Sequence, residues 1–178
     1  MSGFSALLDE FHDPPLRHTI GRLLACARTA DIALTHLRLA GLDLSPSEAG
    51  GLERCRVMLG QLDAAVLLDA GASADVARER LQLLTAFAQS GRLQMRTAPH
   101  HVWNPDFSVF DGLPADRAAA LVGAHYFGRP YARFGIAFTC VLTAESAVRA
   151  CRDRFERLWS DGYDVLPVVV DTLQRLGG

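Results

Sequence analysis

The sequence contains no lysine, so all 18 of its basic residues are arginine. A phosphate-loop lysine, a Schiff-base lysine and any other catalytic lysine are therefore excluded. The 20 acidic residues leave a net charge of -2, which gives no overall attraction to nucleic acid or anionic lipid. No apolar run approaches the roughly 20 residues of a membrane-spanning helix. The opening residues lack the basic start and apolar core of a secretory signal.

Cysteine is also scarce, at Cys26, Cys55, Cys140 and Cys151, and none of these residues forms a C-x-x-C pair. A zinc ribbon and a thioredoxin motif are therefore excluded. Isolated cysteines within apolar patterns predict free thiols that act as small hydrophobic side chains in a reducing compartment. Together with the missing signals, this predicts a cytoplasmic protein with no cofactor, no bound metal and no membrane partner.

The spacing of apolar residues predicts alternating helices and strands within one domain of 178 residues. Phe4, Leu7, Leu8 and Phe11 favour a first helix over residues 3–11, and a second helix is expected from 15 to 28. The later pattern predicts strands at 31–39, 54–60 and 92–98, a helix at 73–89, strands at 107–112, 119–127 and 135–143, a long helix from 143 and a last helix broken near 167. This order is typical of an α/β protein whose mixed β-sheet is flanked by helices.

Three segments carry a motif-like pattern: "NPDFSVFDG" at 104–112, "ALVGAHYF" at 120–127 and "RFERLW" at 154–159. Their order resembles one half of the phospholipase D superfamily, in which H-x-K-x-x-x-x-D on a strand precedes a G-S-x-N-like corner and a helix ending in an F-x-x-L-W-like pattern. The resemblance covers about residues 16–160. It implies a single-motif phospholipase D-like domain over 1–178, with an N-terminal helical extension at 1–14 and a C-terminal helix at 162–178.

The resemblance also implies a catalytically inactive site. Asn104 stands at the family's nucleophilic His and Asp106 at its Lys, while Asp111 and Gly123 are retained. Asn is not a comparable nucleophile, and Asp would repel the phosphate that Lys neutralises. Single-motif members complete their site by dimerising, so the resemblance implies a homodimer with this cleft at or near the interface.

Histidines near the motif keep enzymatic alternatives open. His101 could occupy the family's His position in a second register, and a divergent, metal-independent phosphodiesterase could use His101 or His125. His100, His101, Asp106 and His125 could also meet at neighbouring strand ends as a metal site or an acid–base pair.

Three aspartates offer a further metal hypothesis. Asp106, Asp111 and Asp116 could together hold a divalent cation for hydrolysis. The ordinary interpretation places them in turns and at strand or helix ends, where Asp is common.

The segment "HYFGRPYARFG" at 125–135 interleaves aromatic residues with Arg129 and Arg133. Cations beside aromatic rings suit phosphate contacts and base stacking, with Tyr126 as a stacking candidate. Arg92 and Arg96 are expected on the exposed face of one strand, where they could extend this patch. The sequence therefore predicts a homodimeric, non-catalytic module that binds nucleic acid or another protein.

Overall fold

The chain folds around an eight-stranded β-sheet. The structure is a computed structural model that describes residues 4–9, 15–35, 50–60, 74–97, 106–123 and 138–177. The described elements are, in chain order, β1 (Phe4–Asp9), α1 (Pro15–Cys26), β2 (Thr29–Leu34), β3 (Arg54–Leu59), α2 (Ala74–Gln89), β4 (Leu93–Thr97), β5 (Phe107–Leu113), β6 (Arg117–Gly123), β7 (Phe138–Leu142), α3 (Glu145–Ser160), β8 (Tyr163–Asp164) and α4 (Leu166–Gly177).

The strands run in the order β1-β7-β6-β5-β2-β3-β4-β8 across the sheet. The central strands β2, β3 and β4 are parallel to one another, and every other pairing is antiparallel. This mixed sheet with flanking helices confirms the predicted fold class.

Helices cover the two faces of the sheet unequally. One face is covered by three helices, which pack on alternate residues of the strands. Their buried contacts include Leu24 of α1, Phe87 of α2 and Val169 near the start of α4. On the other face, α3 packs through Val148, Phe155 and Leu158 against the intervening residues, such as Met58. All residues of β2 and β3 after the first of each strand are buried. Because successive strand side chains point to opposite faces, helices must cover both faces of these two strands.

A buried ion pair joins β2, β3 and α3. The Arg56 guanidinium donates to both carboxylate oxygens of Asp31 at 2.7 Å, and their side chains are only 9% and 3% exposed. The same guanidinium donates to Glu156 at 2.6 and 3.2 Å. It also lies 4.9 Å from the ring centroid of Phe155 and 5.2 Å from that of Trp159. The helix is therefore attached to the sheet by charge and aromatic stacking as well as by apolar contacts.

Ionisation of these groups follows from the contacts. Burial by itself lowers the pKa of Arg56, but the hydrogen bonds to Asp31 and Glu156 outweigh it and raise that pKa. The hydrogen bond from Arg56 holds the pKa of Glu156 below its ordinary value of 4.5, against the opposing effect of partial burial. Both partners therefore stay charged at neutral pH.

Residues 4–9 correct the predicted N-terminal helix. They form β1, which pairs antiparallel with β7 at one edge of the sheet. The spacing of the apolar residues fits a helix, but pairing with a distant strand overrides the local pattern.

The C-terminal helix also differs from its prediction. α4 runs unbroken from Leu166 to Gly177. Pro167 lies in its first turn, where a missing N–H costs no helical hydrogen bond. The Leu166 N–H instead bonds to the Asp164 carboxylate at 3.0 Å.

The four cysteines are free thiols, as predicted. Cys55 is fully buried, and burial raises the pKa of its thiol to about 12. Cys26 is exposed instead, so it is not a core residue. Among the helices of the described ranges, none has the length and hydropathy to cross a membrane.

We expect Arg56→Met to lower the free energy of unfolding by about 3 kcal/mol, because it leaves the Asp31 carboxylate buried without its main partner. Urea unfolding measures this change. The control Arg175→Met removes an arginine whose side chain is 77% exposed and should change stability by less than about 0.5 kcal/mol. Equally small changes in the free energy of unfolding for the two substitutions would show that the buried pair does not stabilise the fold.

We expect the stabilising effect of Glu156, compared with Glu156→Gln, to be present at neutral pH and to vanish in acid. The pKa of Glu156 is lower in the folded than in the unfolded chain. Its contribution is therefore complete above about pH 4.5 and is lost as the pH falls through the folded value. Urea unfolding of both proteins between about pH 6 and pH 3 checks this, and a difference that grows in acid would contradict it.

Candidate functional site

One end of the sheet, which we call the site end, receives the connections that carry the sequence-predicted residues. β2, β3 and β4 finish there, the antiparallel β5 begins there, and β6 finishes beside it at Gly123. β4 therefore ends and β5 begins at the site end, and β6 ends and β7 begins there too, so residues 98–105 and 124–137 connect strand ends that lie at the site end. The candidates in these two connections lie outside the described residues, so their clustering stays a prediction: His100, His101, Asn104, His125, Tyr126, Arg129 and Arg133.

Two described residues of the motif meet at the site end. The Gly123 N–H donates to the Asp106 carbonyl oxygen at 3.0 Å, which continues the β5–β6 pairing. Gly123 has a φ of 139°, a backbone conformation that favours glycine. The strand order and register therefore bring together the positions that the motif comparison associates with one site.

The Asp106 carboxylate is held by the end of β2. Its Oδ1 accepts hydrogen bonds from the Thr35 backbone N–H at 2.8 Å and from the Thr35 hydroxyl at 2.7 Å. Asp106 is only 8% exposed. An acidic, hydrogen-bonded side chain thus occupies the position at which the family resemblance expects a phosphate-neutralising lysine. Such a carboxylate accepts hydrogen bonds but disfavours a phosphate beside it.

A buried hydroxyl lies beside Gly123 on the next strand. Thr139 of β7 pairs with Gly123 of β6 and is 1% exposed. Its hydroxyl oxygen has no hydrogen-bond partner in the structure as described. Asp106, Gly123 and Thr139 therefore form a cross-strand row at the site end. Sequence reasoning missed Thr35 and Thr139, because neither residue belongs to a motif.

Asp111 lies away from this row. It follows Asp106 by five residues, or about 17 Å along β5. Its carboxylate pairs with Arg152 of α3 at 2.5 Å, and this hydrogen bond, against partial burial, raises the pKa of Arg152. Gly112, with a φ of 69°, lies at the irregularity in the β5–β6 register between Phe110 and Leu113, where a Cβ atom would lie 2.8 Å from the Arg28 Cβ. Asp111 and Gly112 therefore shape the opposite end of the strand.

The hypothesis of a metal site on three aspartates is wrong. Asp116 lies farther still from Asp106, in the turn between β5 and β6, with a φ of 52°. Within the ranges that the structure describes, no three acidic, histidine or cysteine side chains are grouped to hold a metal ion.

Arg92 and Arg96 do not form the expected exposed patch. Arg96 donates to the Trp159 carbonyl at 2.8 Å, and its guanidinium lies 4.8 Å from the indole centroid. Arg92 instead donates to the Leu52 carbonyl at 3.1 Å and lies 4.9 Å from the Phe87 ring centroid. Since both arginines contact the chain itself, these contacts disfavour their predicted role in binding nucleic acid.

Comparison with known proteins identifies the fold. No family model and no curated protein matches the chain. Among solved structures, it is similar to NucT from Helicobacter pylori, with a TM-score of 0.58, 7% identity and coverage of 89% of this chain and 97% of NucT. It is also similar to Nuc from Salmonella typhimurium, a phospholipase D family member, with a TM-score of 0.57, 11% identity and coverage of 83% and 89%.

A third similar structure is TrmBL2, an archaeal chromatin protein with a novel mode of DNA binding. The TM-score is 0.54 at 11% identity, and the match covers 90% of this chain. The chain spans about half of the length of TrmBL2, 53%. At these identities the comparisons establish a phospholipase D-like fold.

We expect two matched hydroxyl-to-methyl substitutions at the site end to change the free energy of unfolding differently. Thr35→Val removes a hydrogen bond to a carboxylate and should lower the free energy of unfolding by about 2 kcal/mol. Thr139→Val removes a buried hydroxyl that has no partner among the described residues, so stability should stay constant or rise by up to about 1 kcal/mol. Urea unfolding compares the two. A loss in Thr139→Val as large as that in Thr35→Val would contradict the assignment of an unsatisfied hydroxyl.

Proposed function

We propose that this chain is a non-catalytic phospholipase D-like module that forms a homodimer and binds nucleic acid. The observation that carries the first part is the Asp106 carboxylate, buried at the site end and hydrogen-bonded to Thr35. With no lysine anywhere in the sequence, no other side chain can supply the ammonium group that the family resemblance expects at Asp106. Phosphoryl transfer of the family's type would therefore lack both its nucleophile, at Asn104, and its charge-neutralising group.

Binding of nucleic acid is supported by the segment 125–135 and by one similar structure. Arg129, Arg133 and Tyr126 belong to the connection between β6 and β7, whose two ends lie at the site end. Arginines beside aromatic residues suit a phosphate backbone and stacked bases. TrmBL2, a DNA-binding protein, has a similar fold. Because the net charge is -2, the attraction must come from a local patch and should be sensitive to salt.

Fluorescence anisotropy with labelled single- and double-stranded DNA, at low and moderate salt, tests this proposal. We expect binding that weakens as salt rises, because bound arginines release counterions from the phosphates. Arg129→Ala/Arg133→Ala should weaken binding about tenfold or more and flatten the salt dependence. The control Arg117→Ala/Arg175→Ala also removes two positive charges, from exposed arginines at the start of β6 and in α4. This control variant should bind DNA as strongly as the unmodified chain.

Failure to bind DNA at low salt would refute the nucleic-acid part and direct attention to a protein partner. Metal-independent hydrolysis of a generic phosphodiester, lost in His101→Ala or His125→Ala, would instead establish the alternative of a divergent phosphodiesterase. Neither outcome depends on the oligomeric state, which sedimentation velocity measures separately.

A further inference from the structure

The described strand ends at the site end carry side-chain oxygens rather than basic groups. These residues are Thr35 after β2, Thr97 at the end of β4, Asp106 before β5 and Thr139 in β7. Thr35, Thr97 and Gly123 are partly exposed, so solvent reaches this part of the sheet. Arg96, which precedes Thr97, is instead held against Trp159 of α3. A ligand that meets these strand ends therefore meets hydroxyl and carboxylate oxygens.

The Asp106 carboxylate has a fixed position at the site end. Its Oδ1 accepts the hydrogen bonds of 2.8 and 2.7 Å from Thr35, and the carboxylate cannot turn away without losing both. A carboxylate in a fixed position repels the phosphates of a nucleic acid, but it accepts hydrogen bonds from the amino groups of bases. Asp106 therefore discriminates between two parts of the same polymer.

The cross-strand row also has hydrogen-bonding capacity that the described chain leaves unused. Thr139 pairs with Gly123, and the Gly123 N–H donates to the Asp106 carbonyl oxygen. Two inter-strand spacings of about 4.8 Å place Thr139 about 10 Å from Asp106. Gly123 has no side chain to fill this interval, and the Thr139 hydroxyl has no hydrogen-bond partner among the described residues. The row is therefore suited to a ligand that brings hydrogen-bond donors.

We propose that the site end receives the amino-bearing edge of a nucleobase, whose exocyclic amino group donates a hydrogen bond to the Asp106 carboxylate. This base site rests on the nucleic-acid binding of the proposed function and specifies which part of the nucleic acid meets the site end. The phosphates contact Arg129 and Arg133 instead. A cationic protein segment would also suit a carboxylate, but these two arginines in the neighbouring connection would repel it.

The base site should distinguish cytosine from thymine. Cytosine presents an amino group, N4–H2, where thymine presents a carbonyl oxygen, O4. The Asp106 carboxylate attracts the first group and repels the second. Because the two pyrimidines have similar size, a difference in affinity between them measures this contact.

Fluorescence anisotropy of the full chain with labelled oligo-dC and oligo-dT of equal length, at neutral pH and low salt, tests the base site. Both probes carry the same phosphate charge and expose their base edges, so a difference in Kd comes from the bases. We expect oligo-dC to bind about fivefold or more tightly than oligo-dT. This comparison uses the unmodified chain and does not depend on the folding of any variant.

Asp106→Asn tests the role of the carboxylate itself. The amide oxygen can still accept the hydrogen bonds from Thr35, which leaves the amide NH2 in the place of the second carboxylate oxygen. That group donates to thymine O4 and not to an amino group, so the preference for oligo-dC should disappear or reverse. The control Asp111→Asn removes the same charge at the other end of β5, beside Arg152, and should keep the preference. Circular dichroism verifies that both variants are folded.

The results that would overturn the base site are distinguishable from failure of the proposed function. Equal affinity for the two probes, or tighter binding of oligo-dT, would overturn the base site while DNA binding stands. A preference for oligo-dC that persists in Asp106→Asn would also overturn it, because another group then reads the base. If neither probe binds at low salt, nucleic-acid binding and the base site both fail. Binding of a labelled arginine-rich peptide that is lost in Asp106→Asn would then assign the site end to a cationic protein segment.

Discussion

Arg56 connects three elements of the fold through one guanidinium group. It reaches Asp31 on the neighbouring parallel strand and Glu156 on the helix above, while the rings of Phe155 and Trp159 make cation–π contacts with it. A lysine could not replace it, because an ammonium group has neither the fork that binds a carboxylate through two nitrogens nor the flat surface that stacks on rings. A second ion pair, between Arg152 and Asp111, also joins α3 to the sheet, so the helix is held by charge at two places as well as by its apolar side.

Much of the fold could be predicted from the sequence, because most elements follow a local pattern. The described strands β2 to β7 and helices α1 to α3 all lie within or close to predicted runs, since alternating or helical burial is visible in neighbouring residues. β1 was mistaken for a helix because its partner, β7, lies near the other end of the chain. β8 has only two residues and pairs with the edge of β4, which is too little for any periodicity to indicate.

The candidate site was predictable only in part. The motif comparison placed Asp106 and Gly123 at one site, and the β5–β6 register makes them neighbours. No pattern in the sequence indicates Thr35 or Thr139, because their places at the site depend on pairings between distant strands.

The buried ion pair of the fold is indicated by the sequence, since Asp31 and Arg56 are charged residues within apolar strand patterns. Such residues, when buried, usually have a partner of opposite charge. Arg92 and Arg96 were expected at an exposed surface, but strand alternation cannot show that Arg92 contacts α2 or that Arg96 contacts α3.

The position of β1 has a consequence for attaching other proteins or labels to this chain. β1 forms one edge of the sheet, and β8, which is followed by α4, forms the other. Seven inter-strand spacings of about 4.8 Å separate these edges by about 34 Å. A partner that pairs with β1 at one edge would therefore be kept about 34 Å away from a partner that contacts β8 at the other edge. Fluorophores attached at residues 4 and 164 would conversely report on opposite edges of the sheet.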